Sequence, residues 1–181
     1  RAYDAQPISG PSGWLLENGD LLRGGGHALD VACGRGRHVL TLATLGWDVR
    51  GIDRNAEVIE DLRGVAKRLG LRIDLAVVDL EVGSVDLGNA VYDLIVVTNY
   101  LHRPLFPAIC AALKSGGILL YETFPTAQAE RGHPKNSDFL LKPDERQQLV
   151  RPLEILRAYE GERDGQMVAA VIARKPSLGL L

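Results

Sequence analysis

The chain has 181 residues, 46% of them hydrophobic and 24% charged, which points to a single folded domain and excludes a disordered polymer. Its 21 basic and 23 acidic side chains leave a net charge of −2, so no global positive field exists to hold nucleic acid or anionic lipid. Two cysteines, Cys33 and Cys110, cannot staple a small secreted fold, and neither has a zinc-ligand partner at the right spacing, so no metal site is expected.

Residues 1–25, rich in glycine and proline, read as an arm with one short apolar piece, Trp14–Leu16. A strict alternation of patterns follows over 26–175, a single domain with 176–181 as a tail. His27–Cys33 is a short apolar run that stops at Gly34. Arg37–Leu45 has helical apolar spacing and ends at Gly46. Trp47–Asp53 is the second strand. Asn55 then caps a helix whose apolar face is Val58, Ile59, Leu62, Val65, Ala66 and Leu69, closed by Gly70. Leu71–Asp79 is the third strand, and Glu81–Ala90 is polar without clear periodicity. Tyr92–Thr98 is apolar on both faces, as a central parallel strand should be. Pro104 or Pro107 opens a helix containing Ile109–Leu113, closed by Ser115-Gly116-Gly117, and Ile118–Phe124 is the fifth strand. Pro125–Lys142 is a long polar stretch, and a loop of that length in a compact domain is usually functional or disordered. Pro143–Val150 reads as a short helix, and Leu153–Tyr159 with Met167–Ala173 as an antiparallel hairpin.

This order predicts a doubly wound α/β fold, with a mostly parallel sheet and a C-terminal antiparallel hairpin. Ligands of such sheets bind outside the carboxyl ends of the strands. Asp30-Val31-Ala32-Cys33-Gly34-Arg35-Gly36 is a strand running into a glycine turn and then a helix. The dinucleotide fingerprint needs Gly or Ala at position 39, where Val39 stands, and an acid at position 30 repels a pyrophosphate. Asp53 closes the second strand near the ~20-residue spacing at which an acid reaches ribose hydroxyls. Asp79, ending the third, is placed to accept from an exocyclic amine. Three carboxylates at neighbouring strand ends describe a pocket for a cationic, phosphate-free adenosine compound, and S-adenosylmethionine is one.

Four segments together carry a family resemblance: Asp30–Gly36, Gly51-Ile52-Asp53, Tyr92–Val97 and Leu113–Leu119. As a set, over residues 26–124, they resemble the successive motifs of class I S-adenosylmethionine-dependent methyltransferases, which implies a Rossmann-like methyltransferase fold. Cys33-Gly34-Arg35-Gly36-Arg37-His38 is similar to the bacterial small-molecule branch related to tellurite-resistance methyltransferases, with Ala32 where many members have glycine. The resemblance implies S-adenosyl-L-methionine as cofactor. It implies that Gly34 and Gly36 pack under the methionine part, that Asp30 meets its amino group, and that Ala32 and Cys33 belong to the cofactor-binding loop. Asp53 would hold the ribose, with Arg54, Asp79 and Leu80 around the adenine and Asn99 and Tyr100 near the methyl group.

Candidates for the acceptor side are Tyr100, His102, Glu122 and His133; no catalytic residue is singled out among them. His38 reads as a packing or capping residue, and Trp14 and Tyr3 either cover the pocket or pack on the domain. Amino-methylating nucleic-acid enzymes carry Asn/Asp-Pro-Pro-aromatic after the fourth strand, where this chain has Asn99-Tyr100-Leu101-His102, and neither cysteine follows a proline as cytosine-C5 chemistry requires. A small-molecule acceptor is therefore expected, with nucleic acid disfavoured. No apolar run approaches the ~20 residues of a membrane span and no signal peptide is visible, so a cytoplasmic protein is expected. Nothing in the sequence sets an oligomeric state. The rival readings are a non-catalytic S-adenosylmethionine-binding module and an NAD(P)-dependent oxidoreductase.

Overall fold

The computed structural model describes residues 10–23 and 25–177. Tyr3 therefore lies outside the described residues. The elements are α1 (Gly13–Glu17), β1 (His27–Val31), α2 (Arg37–Thr44), β2 (Asp48–Asp53), α3 (Ala56–Arg68), β3 (Ile73–Val77), β4 (Tyr92–Thr98), α4 (Phe106–Ala112), β5 (Leu113–Thr123), α5 (Glu145–Leu149), β6 (Glu154–Arg163) and β7 (Gln166–Arg174). They build a seven-stranded sheet in the order β3-β2-β1-β4-β5-β7-β6, with β7 antiparallel to both neighbours. The expected doubly wound α/β fold is present. No helix among the described residues is long and apolar enough to cross a membrane.

Local chemistry explains the elements. The Asn55 side chain accepts from the Glu57 and Val58 N–H groups at 3.0 and 3.3 Å, satisfying two of the free amides that open α3. Lys67 and Arg68 lie in its last turn, where cations suit the helix dipole. In β4, side chains alternate between two cores. Ile95 and Val97 join Leu29, Val31, Leu119, Tyr121 and Ile109 of α4 on one face. Leu94 and Val96 join Ala28, Leu120, Trp14, Val39, Leu42, Ile59 and Leu62 on the other, beneath α1, α2 and α3.

Several boundaries differ from expectation. β3 spans only Ile73–Val77, because the Leu71 N–H closes α3 on the Ala66 carbonyl at 2.9 Å and the register with β2 ends at Asp53↔Val77. Asp79 thus lies beyond the strand. α4 ends at Ala112, and Leu113 already pairs with Tyr92. Ser115-Gly116-Gly117 is an irregularity inside β5, with Gly116 at φ +78°. The Gly116 N–H and Gly117 carbonyl bond to Lys175 at 2.8 and 2.9 Å, which holds that kink in the sheet. The hairpin runs on to a two-residue turn, Asp164-Gly165, with both φ angles positive, the geometry that matches strand twist.

The 125–142 stretch forms short 3-10 turns at Thr126–Glu130 and Ser137–Phe139 and is tied down along its length. Its two ends meet where the Leu141 N–H donates to the Phe124 carbonyl, and the Thr126 N–H to that of Leu141, both at 2.9 Å. The Arg103 guanidinium donates to the Asp138 and Leu140 carbonyls at 3.0 Å and pairs with Glu145 at 2.9 Å. Gln128 is buried; its amide donates to the His133 carbonyl and accepts from the Met167 N–H.

Candidate functional site

A cleft of about 850 Å3 opens at the carboxyl ends of β1, β2, β3, β4 and β5. One half is lined by Ala32, Asp53, Arg54, Asn55, Val78, Leu80 and Glu81. The other is lined by Thr123, Phe124, His133, Pro134, Lys135, Asn136 and Phe139, with Asn99, Tyr100 and Leu101 between the two halves. Its volume is toward the upper end of the roughly 300–1,000 Å3 of small-molecule sites, enough for two small reactants side by side.

Asp53 organises the first half. Its Oδ2 accepts from the Gly34 N–H and its Oδ1 from the Asn55 N–H, both at 2.9 Å. Each oxygen keeps a lone pair for a ligand, since an ionised carboxylate offers about four acceptor positions. Gly34 has φ +52°, and a Cβ built on it meets no heavy atom within 4 Å, so a side chain there would project into free space beside Asp53. Gly36 is glycine for another reason: its Cβ would lie 2.4 Å from Leu62 Cδ1, so the loop must pack against α3. Ala32 occupies the left-handed region at φ +55°, which costs a non-glycine residue roughly 1–2 kcal/mol. The Cys33 side chain is buried in the core under the loop, and burial pushes its thiol up out of the reactive range.

Asp30 is 1% exposed, and its Oδ2 has no hydrogen-bond partner among the described residues. Burial pushes its carboxyl up to about 8, with the Asp53 charge adding to the rise and Arg37 and the Val39 N–H opposing it. Tyr100 has its hydroxyl raised to about 12 by burial and by the Glu81, Asp79 and Asp53 charges, so it stays protonated near neutrality. Its carbonyl accepts from the buried Tyr121 hydroxyl at 2.9 Å, which ties the β4 end to β5.

Among the expected residues, the cleft gathers Ala32, Asp53, Arg54, Leu80, Asn99, Tyr100 and His133 on its wall. Three placements correct the sequence reading. Asp79 is exposed and off the wall; its Oδ1 accepts from the Glu81 N–H at 3.0 Å, because the chain turns there after β3 has ended. His102 also lies off the wall, its Nδ1 3.7 Å from Glu81 Oε1. Glu122 alternates with Tyr121 and Thr123 along β5, so it shares the face of Leu120 beneath α1 and α2, away from the cleft. It is 6% exposed, its Oε2 unpartnered among the described residues. The Cys33 and Gly36 side-chain positions face the core, leaving only their backbone at the loop. Glu81 was missed: it lines the cleft, sits 3.5 Å from Arg54 and reaches His102, but its segment carries no periodicity to mark it. Trp14 is buried, its indole N–H donating to the Val171 carbonyl at 3.3 Å, and so packs the arm on the domain.

A methyltransferase domain family model matches residues 28–117, spanning the glycine loop, Asp53 and β4. The probable S-adenosyl-L-methionine-dependent methyltransferase TehB of Haemophilus influenzae is 34% identical over 89 residues, 48% of this chain and 30% of its own. The chain belongs to the class I S-adenosylmethionine-dependent methyltransferases. The crystal structure of TehB from Haemophilus influenzae superimposes with a TM-score of 0.77 at 23% identity, over 91% of this chain and 62% of that one. The [4+2]-cyclase SpnF superimposes at 0.73 with 19% identity, over 94% and 85%. These superpositions establish the fold. The chain thus spans less than a third of the curated relative in the sequence match and under two thirds of the TehB chain in the superposition.

The family's cofactor is S-adenosyl-L-methionine, and the residues present fit it. Gly34 leaves a cradle that a Cβ would enter, Asp53 offers lone pairs beside it, and Asp30 holds an orphaned buried oxygen near the same loop. The family assignment also removes the ground for the nicotinamide reading.

Proposed function

We propose that this chain transfers a methyl group from S-adenosylmethionine to a small-molecule acceptor held in the second half of the cleft. The observation that carries the reading is the Gly34–Asp53 pair: an open left-handed glycine whose N–H is held by a carboxylate that lines a cleft of adenosine-accommodating size. Asp53 would accept from the ribose hydroxyls, and Arg54 and Leu80 would flank the adenine. Asp30 would meet the amino group, and Asn99 and Tyr100 would border the reacting centre. The donor, when bound, supplies an electrophilic methyl on a sulfonium.

The protein's own work is then mainly positional. Holding nucleophile and methyl about 3–3.5 Å apart and in line removes much of the entropy from the barrier. Tyr100, protonated at neutral pH, serves as a donor that orients the acceptor and not as a base. If the acceptor arrives protonated, His133 is the imidazole on the cleft wall that would take the proton. The balanced charge of −2 and the absence of the nucleic-acid motifs support a small acceptor.

The test combines calorimetry with a transfer assay. Asp53→Ala should weaken S-adenosylhomocysteine at least tenfold, about 1.4 kcal/mol, while unchanged affinity would remove the ribose role. Radiolabelled methyl donor should label some member of a panel of thiols, amines, phenols and metalloid oxyanions. Binding of the donor with no transfer to any of them would leave a non-catalytic binding module in place of an enzyme.

A further inference from the structure

The two halves of the cleft differ in the sign of their polar groups. On the donor half the charged wall residues are Asp53, Glu81 and Arg54, with Arg54 Nη1 3.5 Å from Glu81. No acid lines the other half, where Lys135 is the one fixed charge. Lys135 makes no ion pair among the described residues; Glu162 is engaged with Arg131 at 2.6 Å and Glu145 with Arg103, while Glu130 and Asp138, which share its loop, do not line the cleft. Beside it, Asn136 Oδ1 accepts from the Asp138 N–H at 2.9 Å, which leaves the amide N–H groups as its free function. The wall is thus rich in donors and poor in acceptors. Phe124 and Phe139 complete it with apolar surface, Phe139 at 40% exposure. The loop that carries Lys135 and Asn136 is preformed, pinned by Gln128 and by the Arg103 fork.

We propose that the acceptor is an organic anion with a flat apolar body, its charged group met by Lys135 and Asn136 and its body lying against Phe124 and Phe139. This rests on the methyltransferase reading above. A wall whose fixed charge is a cation and which is rich in donors discriminates by chemistry: a carboxylate gains charge-assisted hydrogen bonds there, its neutral amide gains fewer, and an ammonium compound is repelled.

The test uses the full chain loaded with S-adenosylhomocysteine. Phenylacetate, cinnamate and naphthoate are titrated, each beside its primary amide and the corresponding amine. The acids should bind about tenfold more tightly than their amides, the value of one charge-assisted contact, and the amines least. Lys135→Gln should abolish that preference without changing S-adenosylhomocysteine affinity, and Lys135→Glu should reverse it in favour of the amines. Three results overturn the inference while the methyltransferase reading stands: equal binding of acids and amides, no saturation by any acid, or weakened S-adenosylhomocysteine binding in Lys135→Gln. The last would assign Lys135 to the donor's own carboxylate. Failure of the unmodified protein to bind S-adenosylhomocysteine at all would remove both readings together.

Discussion

At the carboxyl ends of β1, β4 and β5 the two faces of one sheet carry opposite kinds of polar chemistry. On the cleft face, Tyr100, Thr123 and His133 line an open space. On the other face, Asp30 and Glu122 are buried beneath α1 and α2, and His38 of α2 is buried beside Thr98. There the Ser12 N–H donates to His38 Nε2 at 3.0 Å, so that nitrogen carries no proton, and the Nδ1–H faces Thr98 Oγ1 at 3.4 Å. Burial, reinforced by Arg37, lowers His38 to about 3, and it stays neutral. The closed face therefore latches the arm to the domain, while the open face is free to meet ligands. Polar residues at strand ends line the cleft only on the open face; on the closed face Asp30 stays a site candidate because it borders the glycine loop with an unpartnered oxygen.

The strongest way to break this contrast is His38→Ala. It strands the Ser12 N–H and leaves a hole beneath α1, so stability should fall by about 3 kcal/mol in denaturant unfolding. S-adenosylhomocysteine affinity at saturating folded protein should be little changed. A large loss of affinity with unchanged stability would place His38 in the site and erase the distinction between the faces.

Asp30 belongs to the closed face by burial and borders the glycine loop, so its titration reads both. Its folded-state value of about 8 lies above the ordinary 3.8, so between those values the folded state binds more protons than the unfolded one. Its contribution to stability is therefore present below pH ~4 and lost as pH rises toward 8. His38 runs the other way, because its lowered value makes stability rise with pH from about 3 to its ordinary 6.5. Asp30→Asn should remove this decline between pH ~4 and ~8, so that the stability gap over the parent widens up to pH ~8 in thermal scans. The donor's ammonium should also favour the Asp30 carboxylate. Titration of S-adenosylhomocysteine near pH 7 should then release protons, seen as buffer-dependent heats that Asp30→Asn abolishes. Heats independent of buffer would separate Asp30 from the amino group.

The smallest effect sharpens the open face. Ala32 sits at φ +55°, and Ala32→Gly should relieve strain and raise stability by up to about 1 kcal/mol, read as a modest rise in Tm. A loss of stability would mean that the methyl group's packing outweighs the backbone strain.

The glycine loop and Asp53 were legible because their function depends on local backbone chemistry. A turn with positive φ at Gly34 and Gly36 and an acid at the next strand end are written in consecutive or regularly spaced residues. The strand–helix alternation, the Asn55 cap and the doubly buried β4 were legible for the same reason: period and capping act over a few residues. Asp79 misled because β3 is an edge strand whose end is set by its register with β2, which no single segment carries. Glu122 misled because the face a strand residue takes is known only once its neighbours are packed: Leu120 and Tyr121 sort to opposite cores, and Glu122 follows Leu120.

By itself, then, the sequence determined the α/β order and the glycine loop with Asp53, since each rests on short-range periodicity and spacing, and the resemblance of four motifs taken together marked the family. Tertiary structure alone decided that Glu81, Lys135 and Phe139 share a cleft and that Glu122 and His38 lie closed beneath the arm. Those assignments join residues far apart in the chain, brought together by burial of two separate cores and by hydrogen bonds such as Arg103 to the 138–140 carbonyls, which satisfy backbone groups that would otherwise be stranded.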